Sequence, residues 1–246
     1  MPRPALDLST VELDVVWRAE RFGELPLIID VPSPGRTHAE RAELERRVWA
    51  ELERRELADD HGRASWRLAD LLAVIARRRM SLQLRVFGQD ATRAILATRG
   101  STAVLAELTD RFRLGRVADT GLAATLLSRL PAVPAGEGYS VNVAATAFTE
   151  AAQNPTRGVA VLRRHGLTSD DARTLLAMTT GTLRTAQLAV EWRELGGRSG
   201  RSPIVSTHDT PAGRYRTIRT GDHLTITPTT PAALADALDQ LAAHAR

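Results

Sequence analysis

The chain has 246 residues, of which 43% are hydrophobic and 25% charged, and this composition excludes a disordered protein. It contains no cysteine, which excludes disulfides, thiolate metal sites and cysteine nucleophiles. All 33 basic residues are arginine, and a net charge of +4 is too modest to indicate nucleic-acid binding by itself. No apolar run approaches the roughly 20 residues of a membrane helix, and no secretory signal is visible, so a cytoplasmic location is expected.

The first elements are a short strand and a helix. Residues 5–8 read as a strand, and Ser9 followed by Glu12 is the signature of a capping box at a helix N-terminus. An apolar stripe then predicts a helix that ends at Gly23. The stretch 11–17 also alternates between apolar and polar residues, so a strand stays open as an alternative there.

A buried strand and two helices are predicted next. The run 25–31 is short and apolar and is closed by two prolines, which is typical of a buried strand. Thr37, with Glu40 at the capping-box position, predicts a charged helix to about Arg55. A further helix is expected from about residue 65 to residue 77, with its leucines facing inward.

A meander of four strands follows. Leu82, Leu84 and Val86 alternate with polar residues, which predicts a strand with one buried face. Three more strands are expected at about 92–98, 102–108 and 111–117, and then a helix at 121–130. The stretch 131–138 is rich in Pro and Gly and is interpreted as a linker.

The second half repeats this order of elements. Three helices are predicted first, at about 140–152, 156–165 and 169–178. Alternating residues then predict strands at about 185–193, 203–208, 214–219 and 223–227. A helix from Pro231 to about residue 245 closes the chain, and Pro231 suits its first turn.

The duplication predicts the fold class. Residues 81–130 match residues 182–245 in the order of their elements, although few residues are identical. We therefore expect an α+β protein with a pseudo-two-fold arrangement, in which two four-strand antiparallel meanders either contribute to one central sheet or pack edge to edge, flanked by helices. The chain is interpreted as one domain, 1–246, of two pseudo-repeated halves, about 1–130 and 139–246, joined by the linker.

A search for catalytic residues finds little. The six histidines are scattered, and neither a metalloprotease helix motif nor a nucleophile elbow nor a phosphate-binding loop is present. His208 and Asp209 are adjacent at a predicted strand end, where their side chains point to opposite faces. A turn role for Asp209, bonded to backbone two residues on, is favoured over a hydrolase site. The sequence therefore predicts no enzyme, no metal and no cofactor.

A resemblance to a known family comes from three places in the chain. The turn segment Asp-Thr-Pro-Ala-Gly-Arg, with Asp209, Thr210, Gly213 and Arg214, is the most specific of them. With the early Leu-Pro strand and the Thr-x-x-Glu-Arg helix that begins at Thr37, it resembles the EspG family. These proteins are secretion-associated chaperones of actinobacterial type VII (ESX) systems. The resemblance implies a pseudo-two-fold scaffold of antiparallel sheet and helical bundles.

The resemblance also implies a function. Such chaperones act without catalysis, bind a PPE protein of a PE–PPE pair at its apolar tip, keep it soluble and direct it to secretion. The family uses a loop between central strands and the second helical bundle for this contact. In this chain the corresponding candidates are the turn Thr98, Arg99, Gly100 and Ser101, and the helical residues Leu167, Leu175 and Met178.

Several points stay open in the sequence. The turn 98–101 is shorter than in mycobacterial members, so a WXG100-like helical protein is an alternative client, and a homodimer is a further partner. The helical leucines are favoured as core residues over contact residues. A nucleic-acid-binding regulator is the alternative function, since Arg111 with Arg113, and Arg214 with Arg216, would share sheet faces. The runs 77–79 and 196–201 are interpreted as a polar helix end and a hairpin loop.

Overall fold

The computed structural model describes residues 5–88, 91–194 and 198–244. Within these ranges, eleven strands form one sheet and eight α-helices lie on its faces. The strands are β1 (Leu6–Ser9), β2 (Met80–Phe87), β3 (Thr92–Arg99), β4 (Thr102–Leu108), β5 (Arg111–Val117), β6 (Val141–Ala144), β7 (Arg184–Arg193), β8 (Ser199–Arg201), β9 (Val205–Thr210), β10 (Gly213–Thr220) and β11 (His223–Pro228). The helices are α1 (Thr10–Ala19), α2 (His38–Arg54), α3 (Trp66–Ala76), α4 (Leu122–Leu127), α5 (Ala145–Gln153), α6 (Gly158–Arg164), α7 (Ser169–Thr179) and α8 (Pro231–Ala243). Among them, no helix is both long and apolar enough to cross a membrane.

The strand order is mirrored about the centre of the sheet. The order is β1-β5-β4-β3-β2-β7-β9-β10-β11-β6, and β8 pairs with β7 beside this path. The central strands β2 and β7 are antiparallel, in register from Met80 opposite Trp192 to Phe87 opposite Thr185. Each outer strand, β1 or β6, runs directly into a helix, α1 or α5. The predicted α+β fold with two four-strand meanders in one antiparallel sheet is confirmed.

The helices form three groups around this sheet. On one face α4 and α8 cover the centre and bury apolar residues of both central strands, among them Leu82, Leu84, Leu188 and Val190. On the other face α1 to α3 cover one outer part of the sheet, and α5 to α7 cover the other. Between these last two groups, side chains at one end of the central strands stay exposed, namely Arg85, Phe87, Thr185 and Gln187, which leaves an open strip of sheet there. Further along the same face, Ser81, Gln83 and Ala189 are buried.

Both predicted capping boxes are confirmed. The Ser9 amide donates to the Glu12 carboxylate at 2.6 Å, and the Glu40 amide donates to the Thr37 hydroxyl at 3.2 Å. These bonds satisfy amide groups that a helix start leaves without partners. The first of these helices ends at Ala19, earlier than Gly23, and the strand alternative for this stretch is wrong.

The strand predicted at 25–31 is wrong. The segment is a loop, in which the Ile29 amide donates to the Pro26 carbonyl at 2.7 Å to close a turn. Pro26 has no amide proton to give to a neighbouring strand, and two further prolines follow the run. The segment is apolar because it is buried, although it does not pair with a strand: Ile28 and Ile29 both lie in the core around α1 to α3.

The predicted start of the helix at about 140–152 is also wrong. Residues 141–144 form strand β6, which pairs with β11 from Val141 opposite Ile226 to Ala144 opposite His223. Val141 and Val143 are buried on one face, and β-branched residues in alternation favour a strand. The helix α5 begins only at Ala145, and Pro155–Arg157 then forms a 3₁₀ turn before α6.

The predicted linker packs against the second meander. Its residues 134 and 136 flank β10: the Arg214 amide donates to the Pro134 carbonyl at 2.8 Å, and the Gly136 amide donates to the Arg214 carbonyl at 3.1 Å. The division of the chain into halves at this segment stays a prediction. In the stretch 196–201, residues 196 and 197 lie outside the described residues, and the last three form β8.

Candidate functional site

The open strip of sheet is the floor of a groove that we call the central trough. Its floor is made by side chains of β2 and β7 on the face between the two helical groups: Arg85, Thr185 and Gln187, with the buried Gln83 beside them. The register places Arg85 opposite Gln187 and Phe87 opposite Thr185, so these side chains project to the same face. Helices α5 and α7 form one wall, and loop 25–31 forms the other.

The end of the trough beside α5 and α7 is a cleft of about 620 Å³ with an apolar wall. Its floor carries uncharged polar groups, including those of Gln187, Ser206 and Thr217, which lie in one row across β7, β9 and β10. The wall is apolar: Phe87, Phe148, Ala151, Ala152, Pro155 and Leu176. We call this part the apolar end.

His208 lies at the base of the apolar end. It is buried, its Nε2 is 2.9 Å from the Met178 carbonyl, and its ring stacks on Tyr215 at 5.4 Å between centroids. Burial lowers the pKa of His208 below its ordinary value, although the Met178 carbonyl and nearby Asp209 act in the opposite direction. The imidazole is therefore held neutral near pH 7, donating to a carbonyl. Among the described residues, no group of three or more His, Asp or Glu could hold a metal ion.

Asp209 does not form the turn that the sequence predicted. It lies in β9, and its carboxylate accepts two bonds from the Arg214 guanidinium, at 2.6 Å and 2.9 Å. The turn bond comes from Thr210, whose hydroxyl accepts from the Ala212 amide at 3.2 Å. Gly213 has a φ of +127°, which only glycine adopts readily. The family-signature segment is therefore a buried ion pair together with a tight turn.

The opposite end of the trough is rich in arginine. Arg78, Arg79, Arg193 and Arg201 line it, and we call it the arginine end. Arg78 is buried and donates to the Ile75 carbonyl at 3.1 Å and to the Glu191 carboxylate at 3.3 Å. Burial lowers the pKa of Arg78, and the positive charge of Arg193 lowers it further. Of the run 77–79, Arg77 is the C-cap of α3, as a polar helix end requires, whereas Arg78 turns inward.

The two parts of the predicted contact surface lie apart. Gly100 and Ser101 form a two-residue turn between β3 and β4, and Thr98 pairs with Met80 at the arginine end of the central strands. Phe87, at the apolar end, is seven residues further along β2, a distance of about 23 Å. The structure therefore does not bring the turn and the helices α5 to α7 to one cleft.

The predicted helical contact residues lie mainly inside the protein. Leu175 and Met178 are buried in the core of α5 to α7, and Leu167 is partly buried against it. The side chain of α7 that lines the cleft is the neighbouring Leu176. Leu175 and Met178 are therefore core residues, the role favoured from the sequence, and a contact between this group of helices and a partner stays a prediction.

Sequence reasoning missed Phe87 and Phe148 as lining residues. A signal for Phe87 was available, because it ends the polar series of β2 (Ser81, Gln83, Arg85) on the face that is otherwise hydrophilic. An exposed aromatic residue on such a face indicates a contact. For Phe148 no signal was available, since it reads as one more apolar residue of an amphipathic helix.

Three of the four arginines of the nucleic-acid alternative, Arg111, Arg113 and Arg214, are engaged within the protein. Arg111 lies 2.5 Å and Arg113 3.7 Å from the Asp7 carboxylate. The Arg214 side chain is only 2% exposed and is bound to Asp209. These residues do not form a free basic face of the kind that binds phosphates.

The mirrored sheet, its helical groups and the trough define an α+β scaffold with a groove beside its central strands. The family model for the EspG family matches residues 9–240, and the chain belongs to the EspG family. A comparison with solved structures finds the Mycobacterium tuberculosis type VII secretion system chaperone EspG5 in complex with the PE25–PPE41 dimer. That match has a TM-score of 0.72 and 15% sequence identity, and it covers 97% of this chain and 95% of the other. A comparison with curated proteins finds no match.

Proposed function

We propose that this protein is a cytoplasmic chaperone of type VII secretion, without catalytic activity, that binds a PPE-like helical protein of a PE–PPE pair. It keeps this client soluble and directs it to its secretion machine. Membership of the EspG family supports the proposal, as does the fold shared with EspG5, whose structure contains a PE–PPE dimer. The observation that carries the proposal is the apolar end of the central trough, with its apolar wall and uncharged polar floor.

The apolar end suits the tip of a helical client. A helix end leaves backbone amides or carbonyls without partners, and uncharged side chains such as Gln187, Ser206 and Thr217 can donate to them or accept from them. The wall formed by Phe87, Phe148 and Leu176 offers apolar contact beside that floor. Covering an apolar tip in this way removes a patch that would otherwise aggregate.

The alternatives differ in how well the structure accommodates them. A WXG100-like client would use the same trough, because it also offers a helical tip with apolar residues. The hypothesis of a nucleic-acid-binding regulator has less support, because Arg111 and Arg113 are paired with Asp7 and Arg214 is buried.

The test is affinity purification from the native host in moderate salt, followed by mass spectrometry of co-eluting proteins. A stoichiometric helical PE–PPE-type pair is expected. Phe87→Glu should abolish its recovery, because a carboxylate in the apolar wall must be desolvated on binding. Trp66→Glu is the matched control, since Trp66 is 69% exposed on α3, outside the trough lining, and recovery should be unchanged.

Two outcomes contradict the proposal. One is recovery of the chain alone even when candidate helical pairs are co-expressed with it. The other is recovery of nucleic acid in place of a helical protein. Thermal unfolding of both variants, measured in parallel, shows whether a loss of binding reflects the trough or a loss of the fold.

A further inference from the structure

The arginine end holds arginines that the carboxylates around it do not pair. Four arginines line it together with Glu24 and Glu191, and Asp119 and Glu194 line an adjoining depression with Arg79 and Arg193. Glu191 is shared, at 3.3 Å from Arg78 and 3.8 Å from Arg201. Within the described ranges, the guanidinium groups of Arg79 and Arg193 have no carboxylate partner. This end of the trough therefore has an unsatisfied preference for anions.

Arg79 and Arg193 are also neighbours across two strands. The Arg193 amide donates to the Arg79 carbonyl at 2.7 Å, immediately beyond the pair of Met80 and Trp192. Like charges directly opposite one another on adjacent strands repel and destabilise the sheet. The positive charge of Arg193 also acts on the buried guanidinium of Arg78, because it helps to lower the pKa of Arg78. A bound anion would relieve this repulsion.

The arginine end is continuous with the apolar end. The depression between them is lined by Gln187, which also lines the apolar end, and by Leu27 and Arg201, which also line the arginine end. Leu27 is 88% exposed and Ile204 is 40% exposed along this path. Such apolar side chains favour a protein occupant over a nucleic acid, which would require a basic path throughout.

We propose that the arginine end binds acidic side chains of the same client whose apolar tip occupies the apolar end. Charge then fixes the direction in which the client lies along the trough, because the reversed orientation would leave acidic groups against the wall of Phe87 and Leu176. From Arg79 to Phe87, β2 spans about 26 Å, which equals about 17 residues of α-helix. This inference rests on the proposed chaperone function and adds the chemistry of the client.

The experiment compares two double variants that remove the same charge. Arg79→Gln with Arg193→Gln changes the arginine end, and Arg46→Gln with Arg47→Gln changes two exposed residues of α2. The probe is the PE–PPE-type pair identified by mass spectrometry in the purification described above. We expect the first variant to bind about 10-fold more weakly at 50 mM NaCl, with the difference shrinking at 500 mM because salt screens exposed charges. The second variant should bind as the wild type does.

A charge reversal provides a second readout. Arg79→Glu with Arg193→Glu should bind the client more weakly still, and glutamate-to-lysine changes at the matching end of the client should restore the affinity. Equal affinity of the wild type and both double variants would overturn the inference and leave the chaperone function intact. If the wild type binds no helical pair, the chaperone function itself fails. If the Arg79→Gln, Arg193→Gln variant loses binding to a 20-base-pair DNA duplex but keeps its affinity for the helical pair, the arginine end is a nucleic-acid site and the inference is wrong.

Discussion

At the scale of single residues, a buried ion pair holds the signature segment together. Arg214 is 2% exposed, and its guanidinium binds both oxygens of Asp209 and, at 3.1 Å, the Pro131 carbonyl. One residue therefore joins β9, β10 and the segment 131–138. A buried guanidinium tolerates this position only because planar, bidentate partners replace its water.

Removing the carboxylate should destabilise the protein strongly. Asp209→Asn leaves the positive charge of Arg214 buried without its counterion, and we expect a loss of about 3–5 kcal/mol in the free energy of unfolding. Asp222→Asn is the control, because that side chain is 97% exposed and lies 4.0 Å from Arg219. Urea unfolding of both variants measures the difference. A loss below about 1 kcal/mol for Asp209→Asn would contradict the role assigned to the pair.

His208 should make stability depend on pH. Its folded-state pKa lies below the ordinary value of 6.5, so the unfolded chain binds the proton more readily. Stability is therefore full above pH 6.5 and falls as the pH drops from 6.5 towards the lower folded-state pKa. We expect His208→Gln, which keeps a donor for the Met178 carbonyl, to lose less stability between pH 7.5 and 5.5 than the wild type. Chemical unfolding at the two pH values tests this, and equal losses would contradict it.

At the scale of elements, the segment 131–138 depends on a very close approach. A Cβ atom on Gly136 would lie 2.1 Å from the Tyr215 ring, and one on Gly213 would lie 2.6 Å from Gly136. The Tyr215 hydroxyl donates to the Glu137 carbonyl at 3.0 Å. The segment therefore lies against β10 as a packed layer and not as a free connection.

A methyl group at Gly136 should disrupt this packing. We expect Gly136→Ala to lower the free energy of unfolding by about 1–3 kcal/mol, because either the tyrosine ring or the segment must move. At Gly115 the added Cβ would be at an ordinary 3.5 Å from Ala5, so Gly115→Ala is the matched control and should change stability much less. Thermal unfolding of the two variants compares them, and equal effects would show that the close approach is not required.

At the scale of the whole molecule, the trough exists because two meanders meet at β2 and β7. The helices α4 and α8 cover one face of this seam, and part of the other face, around Arg85 and Gln187, stays open between α1 to α3 and α5 to α7. Each meander contributes one central strand to the floor, so neither meander has the trough alone. A client bound there would contact both meanders.

Client binding should therefore stabilise the entire fold. A ligand that binds only the folded state, at 100 times its Kd, raises the free energy of unfolding by about 2.7 kcal/mol. We expect a corresponding rise in the unfolding temperature when the helical client is added. Phe87→Glu should show no rise, whereas Trp66→Glu should show the full rise. An unchanged unfolding temperature for the wild type with its bound client would contradict this.

The sequence by itself determined the local elements and the family. Capping boxes such as Ser9 with Glu12, and alternation such as that of β2, act over a few residues, so they can be identified without tertiary contacts. The segment 209–214 identified the EspG family, although the role of Asp209 in it was misread because its partner, Arg214, lies on the next strand.

Only the tertiary structure decided which surface stays open. The pairing of β2 with β7 joins Met80 to Trp192, residues far apart in the chain, and no local pattern encodes that register. Periodicity shows which residues are apolar but not which other elements pack against them. For this reason the sequence could not distinguish the core residues Leu175 and Met178 from Leu176, which lines the cleft. The apolar run 25–31 was misread for the same reason. Local signals specify backbone conformation, whereas burial and exposure depend on which distant elements pack together.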